Sequence, residues 1–125
     1  MWQAIYQHLS NKSIQINEWF QVYSANDKTP KPYGVFALNS ESNSKINHKG
    51  RFLELNIWLY FEKGQAHKLD KAMKEVKKLL SNQLLTTDLG EEFLIEYVNH
   101  LKIFWDEDLK AICRRVDFRI PGIKG

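Results

Sequence analysis

Cysteine occurs once in the 125 residues, proline three times and glycine six times. The lone Cys113 cannot form an internal disulfide or furnish a zinc ribbon, and small secreted domains usually need several cysteines. No stretch approaches the ~18 uncharged apolar residues of a membrane-spanning helix. The start, Met1-Trp2-Gln3-Ala4, lacks the basic-then-apolar order of a secretory signal. The expectation is a protein made and used in a cytoplasm. The glycines never reach the spacing of a nucleotide-cradling loop, and His8, His48, His67 and His100 are scattered without the pairing of a metal-binding helix face. An excess of one charge is missing too. Eighteen basic against fifteen acidic residues leave +3, too mild to name a nucleic-acid partner.

What the chain has is aromatic mass: seven Phe, five Tyr and four Trp offer ample apolar area to offset ordering entropy, which excludes disorder. Its length fits one domain over 1–125. Trp2, Ile5, Tyr6 and Leu9 share one helical face, predicting a first helix over 2–10. Residues 14–23 are β-favouring, with broken alternation near Glu18-Trp19. After the polar 24–31, Tyr33 to Leu38 reads as a strand with neighbours on both sides. Asn39 to Gly50 reads as an exposed loop, long for a hairpin and so a functional candidate.

The clearest strand follows. Leu53, Leu55, Ile57, Leu59 and Phe61 alternate with Phe52, Glu54, Asn56, Trp58 and Tyr60, predicting a central strand whose second face is partly covered by another element or subunit. A helix from about Gln65 to Leu84 carries the stripe Leu69, Ala72, Met73, Val76, Leu79 and Leu80. Leu89-Gly90 is a turn. Phe93 to Trp105 is β-favouring, with Phe93, Ile95, Tyr97, Leu101, Ile103 and Trp105 on one parity, and Ile112, Val116, Phe118 and Ile120 mark a last strand. The resulting expectation is an α+β fold, with an antiparallel or mixed sheet of about four to five strands packed against two helices.

No catalytic constellation emerges. Cys113 lacks the adjacent base a nucleophile requires, and a buried free cysteine is ordinary. Asp106, Glu107 and Asp108 suit turn chemistry better than acid–base work. The expectation is a protein that is not an enzyme and has no catalytic, cofactor or metal residues. Lys68, Lys71, Lys74 and Lys78 recur on one side of the second helix, a candidate anion-binding face for a small nucleic-acid-binding module, though Asp70 and Glu75 interrupt it and a solvated face is the simpler reading.

Lys31-Pro32-Tyr33-Gly34-Val35-Phe36, the later strand Leu53-Glu54-Leu55-Asn56-Ile57-Trp58-Leu59-Tyr60, the striped helix and the Asp106-Glu107-Asp108 turn before the closing strand together resemble the small tail-completion or tail-terminator proteins of long-tailed bacteriophages. The resemblance spans nearly the whole chain. It implies a virion structural protein, made in the bacterial host cytoplasm, that forms a ring, commonly a hexamer. Such a ring caps the tail tube and takes part in head–tail joining, with the tail-tube protein and a head-completion or connector protein as partners. That role needs surfaces. Trp58, Tyr60 and Trp105 are candidates for a subunit interface, with a second core face as the equal alternative. Within the loop, Glu41, Ser42, Asn43, Ser44, Lys45, Ile46 and Asn47 are candidates for contact with a neighbour or the tube. Neither a membrane nor a cofactor is called for, and nucleic acid enters only with the lysine-face reading.

Overall fold

The computed structural model describes residues 1–21, 30–40 and 52–121. The chain folds as α1 (Trp2–Lys12), β1 (Glu18–Gln21), β2 (Tyr33–Ser40), β3 (Phe52–Phe61), α2 (Ala66–Leu80), β4 (Gln83–Thr86), β5 (Glu92–His100), β6 (Phe104–Asp106) and β7 (Ala111–Pro121). One seven-stranded sheet runs β1-β2-β3-β7-β5-β4, with β6 beside the start of β7. Among the described residues only β1 and β2 pair in parallel, so the sheet is mixed and the class is α+β.

The expected count of four to five strands is too low, for two local reasons. Residues 93–105 split into β5 and β6, and the expected tail of the second helix is a strand. The α2 stripe of Leu69, Ala72, Met73, Val76 and Leu80 is buried, but the helix stops at Leu80, not Leu84. Asn82 then takes a left-handed φ of 56° and the chain turns into β4, where Leu84 is 57% exposed. A helical continuation through Leu84 would rest on an apolar residue that faces water here.

The strand expected over 14–23 starts later, at Glu18, because Ile14 is 83% exposed and the amides of Ile14 and Gln15 donate to the Glu75 carboxylate of α2 at 3.0 and 3.1 Å. Those donors are held by a helix instead of a neighbouring strand. In the run 93–105, the register between β5 and β7 slips at Tyr97/Asn99. That irregularity breaks the single parity assumed for Phe93 through Trp105. It leaves Leu101 42% and Trp105 44% exposed. The first helix runs two residues past the expected Ser10, to Lys12.

Both helices lie on the same side of the sheet. Leu55, Ile57, Leu59 and Phe61 of β3 join Val116, Phe118 and Ile120 of β7, Ile5 and Leu9 of α1 and the α2 stripe in one core. Trp2 stacks on Tyr6 and on Phe36, with ring centroids 5.3 Å apart in each pair. His8 Nε2 reaches the Leu79 carbonyl at 2.8 Å and ties α1 to the end of α2.

Gly34 is a steric requirement of this core. A Cβ there would stand 2.3 Å from the Trp19 ring, which packs onto the glycine while its Nε1 donates to Ser13 Oγ at 3.0 Å. Gly34→Ala must displace that ring, an overpacking cost of about 1–3 kcal/mol. Leu55 and Ile57 are fully buried, so Leu55→Ala or Ile57→Ala should each cost about 2–5 kcal/mol. Urea denaturation checks all three; a loss below about half a kcal/mol for either β3 variant is the size expected of a surface position and would refute the face assignment.

Candidate interaction surface

The face of the sheet turned away from the helices carries the second group of aromatic residues. Register places Tyr33, Tyr60, Cys113 and Phe104 abreast across β2, β3, β7 and β6, and Val35, Trp58 and Arg115 in the next row. Tyr33, Val35, Tyr60, Ala111 and Cys113 are buried there, with Phe20, Trp58 and Leu109 packed against them. Tyr33 stacks on Tyr60 at 4.9 Å between centroids and meets Phe20 edge-on at 5.9 Å.

Burial sets the chemistry of this cluster. It pushes the Cys113 thiol from its ordinary value of 9.0 up to about 12, and the Tyr33 hydroxyl from 10.0 to about 12 with a further push from the Asp106 charge. The Tyr60 hydroxyl, which meets the Cys113 sulfur, is raised by the same desolvation. Nucleophilic attack needs the thiolate, and this environment disfavours it. The Tyr33 hydroxyl is buried with no hydrogen-bond partner among the described residues.

Toward the other end of the same face the residues become polar. Asn56 and Asp117 are buried, and Asp117 Oδ1 accepts from Asn56 Nδ2 and from Arg115 Nε, each at 2.7 Å. Asn56 Nδ2 also donates to Glu54 Oε1 at 2.9 Å, and Asn39 Nδ2 donates to Asn56 Oδ1 at 3.1 Å. The bond to Asp117, with the nearby carboxylate charges, holds Arg115 above its ordinary value. Arg119 Nε reaches Glu96 Oε1 at 2.9 Å farther along. The Asn56–Asp117 bond and the Glu54–Arg115 pair at 3.7 Å cross from β3 to β7 and fix the register of the two strands.

The three aromatic residues singled out from the sequence do not form one patch. Trp58 is half-buried on the far face, with the Arg115 guanidinium 5.9 Å from its ring. Tyr60 is 7% exposed and supports that face from within. Trp105 pairs with Ile112, whose other neighbour is Phe61, and so projects to the helix side. The residue that shares the far face is Phe104, opposite Cys113 and 42% exposed. A one-residue shift separates Trp105 from Phe104, and only the β6–β7 register distinguishes them. The candidate loop residues 41–47 lie outside the described residues.

On the helix side, Lys68, Lys71, Lys74 and Lys78 are all exposed. Of the acids that interrupt them in sequence, Asp70 pairs within the row and Glu75 outside it. Asp70 bridges Lys74 at 3.2 Å and Arg114 at 2.9 Å, and these partners, Lys74 first, hold its carboxyl below the ordinary carboxylate value. Glu75 is taken up by the amides of Ile14 and Gln15. In the β6–β7 turn, Asp106 accepts the Leu109 amide at 3.0 Å, while Glu107 accepts from the Trp105 indole and pairs with Lys110, so these two acids serve the hairpin. Among the described residues no group of three or more His, Cys, Asp or Glu side chains is gathered to hold a metal ion. No protein-family model and no curated protein matches this chain.

Raised thiol and phenol values make the fold sensitive to alkali. Cys113 and Tyr33 favour the folded state fully below their ordinary values of 9.0 and 10.0, and that contribution is lost as pH rises toward about 12. Stability measured by chemical denaturation should therefore fall from about pH 9 upward, with a shallower slope in Cys113→Val. At pH 8 a thiol-alkylating reagent should modify Cys113 only in denaturant; equally fast reaction of the native protein would show that the thiol is accessible.

Proposed function

We propose that this chain is a structural protein of a phage or prophage virion that caps the tail tube and takes part in head–tail joining through the surfaces of an oligomeric ring. The observation that carries the reading is the order of parts. Lys31-Pro32 leads into β2, the strand carrying Ile57-Trp58 is the central β3, the striped α2 follows, and the Asp106-Glu107-Asp108 turn precedes the closing strand β7. The partners are further copies of the chain, the tail-tube protein and a head-completion or connector protein.

The surfaces suit such a role. Half-buried Trp58 and exposed Phe104 border one face, and among the described residues β1 and β4 end the sheet with unpaired edges suited to neighbouring subunits. The nucleic-acid reading is supported by the exposure of Lys68, Lys71, Lys74 and Lys78 along α2. It requires salt-sensitive DNA binding by the monomer, lost in Lys71→Ala/Lys74→Ala.

A complementation assay tests the virion role. In a phage whose corresponding gene is deleted, supplying this chain should restore infectious particles, and antibody labelling should find it at the head-proximal end of the tail. Full-yield particles without the chain, or particles that never contain it, would refute the role. Removing residues 41–47 should leave folding nearly unchanged, since altering loop length twofold changes closure entropy by about 0.6 kcal/mol, but should lower particle yield. Normal yield from that deletion would leave joining to the sheet and helix surfaces.

A further inference from the structure

The charges of this chain are segregated in a way that neither core requires. From Leu79 to Leu101 there is no lysine or arginine, and the same stretch carries Asp88, Glu91, Glu92 and Glu96. Three of these acids surround the β4–β5 turn and are exposed. The turn itself is closely tied: Thr87 N donates to the Glu91 carbonyl at 2.8 Å, Gly90 N to the Thr87 carbonyl at 2.9 Å, and Glu91 N to Thr87 Oγ1 at 3.2 Å. Gly90 takes the left-handed φ of 83° that closes it. The result is a firm acidic tip with Leu89 at its apex, 87% exposed.

A complementary hollow lies where the segment after α1 crosses α2. Ile14, 83% exposed, stands between two cavities. The first, about 330 Å³, is bordered by Lys31, Lys68 and Lys71, and the second, about 390 Å³, by Lys12 and Lys78. Glu75, in the second, is occupied by the backbone amides of Ile14 and Gln15. Among the described residues Glu62 is the one carboxylate bordering the first. This surface is thus apolar at its centre and basic around it, the inverse of the tip.

We propose that the Asp88–Glu92 tip of one copy docks on the Ile14 hollow of a second copy, Leu89 meeting Ile14 and the acids facing Lys68, Lys71 and Lys78. The two patches belong to different parts of the chain, so the contact is head-to-tail and each copy keeps one tip and one hollow for further neighbours. It names the subunit contact of the proposed ring, and its place in a tail rests on that reading. The apolar centre supplies affinity and the surrounding charges supply orientation and salt sensitivity.

Charge exchange tests it with the full-length chain. By sedimentation, wild-type mass should rise above that of the monomer with concentration and fall back as salt is added. Asp88→Lys/Glu91→Lys and Lys68→Glu/Lys71→Glu should each stay monomeric while giving the wild-type circular dichroism spectrum. An equimolar mixture should associate again, because the reversed tip now matches the reversed hollow and the two native patches still match each other. A wild-type monomer at all concentrations, single variants that associate normally, or a mixture that stays monomeric would each overturn the contact. Failure of the tail reading looks different: charge-exchanged pairs would associate as expected, yet neither single variant would lower particle yield in the complementation assay.

Discussion

The ladder between β3 and β7 is the constraint on which the rest depends. It runs from Phe52 opposite Pro121 to Phe61 opposite Ile112 without a slip. Its alternation sends Leu55, Ile57, Leu59, Val116, Phe118 and Ile120 to the helices, and Tyr60, Trp58, Cys113 and Arg115 to the other side. Sliding β7 by one residue would bury Arg115 and Asp117 under α2 and expose its aliphatic row, and sliding β3 would do the same with Glu54 and Asn56. The Asn56–Asp117 bond opposes that slip directly, since it forms only when Asn56 stands opposite Asp117, and Arg115 on the same strand holds the Asp117 carboxylate for it. A costly polar cluster in a protected position thereby specifies one alignment of an otherwise repetitive apolar pair.

The two faces divide the work. The helix side holds the larger core and fixes α1 to α2 through His8 and, by way of the residues after α1, through Glu75. The far side has a smaller aromatic cluster that raises the proton affinities of Cys113, Tyr33 and Tyr60 and leaves Trp58 and Phe104 at its border. Groups held neutral in this way are poor reagents but good packing material. The chemistry of Cys113, Tyr33 and Tyr60 is thus that of packing and not of nucleophilic attack.

Much of this was legible in the amino-acid sequence wherever one periodicity persisted. Leu53 to Phe61 and Leu69 to Leu80 kept their periods long enough to specify β3, its covered face and the α2 stripe. The misreadings fell where the period changed within a few residues. Leu84 continues the helical stripe in sequence, yet it follows the left-handed Asn82 and belongs to β4. Trp105 and Phe104 are adjacent, and the slip at Tyr97/Asn99 hides which of them joins Tyr60. The Asn56–Asp117 bond joins residues sixty-one positions apart, a pairing that parity within a strand cannot reveal. Glu75 looked like an interruption of a lysine row because its partners are backbone amides, which carry no signature in side-chain chemistry.

The fit of the Trp19 ring over Gly34 links two positions that pair across β1 and β2. Neither can vary freely while the other is kept: a methyl group at 34 demands a smaller side chain at 19, and a smaller side chain at 19 leaves a void that the larger residue at 34 helps to refill. Among descendants of this sequence the two sites should therefore drift as a pair, tryptophan travelling with glycine and bulk at 34 with its loss at 19, so that the packing of one indole is recorded as a correlated history at two columns.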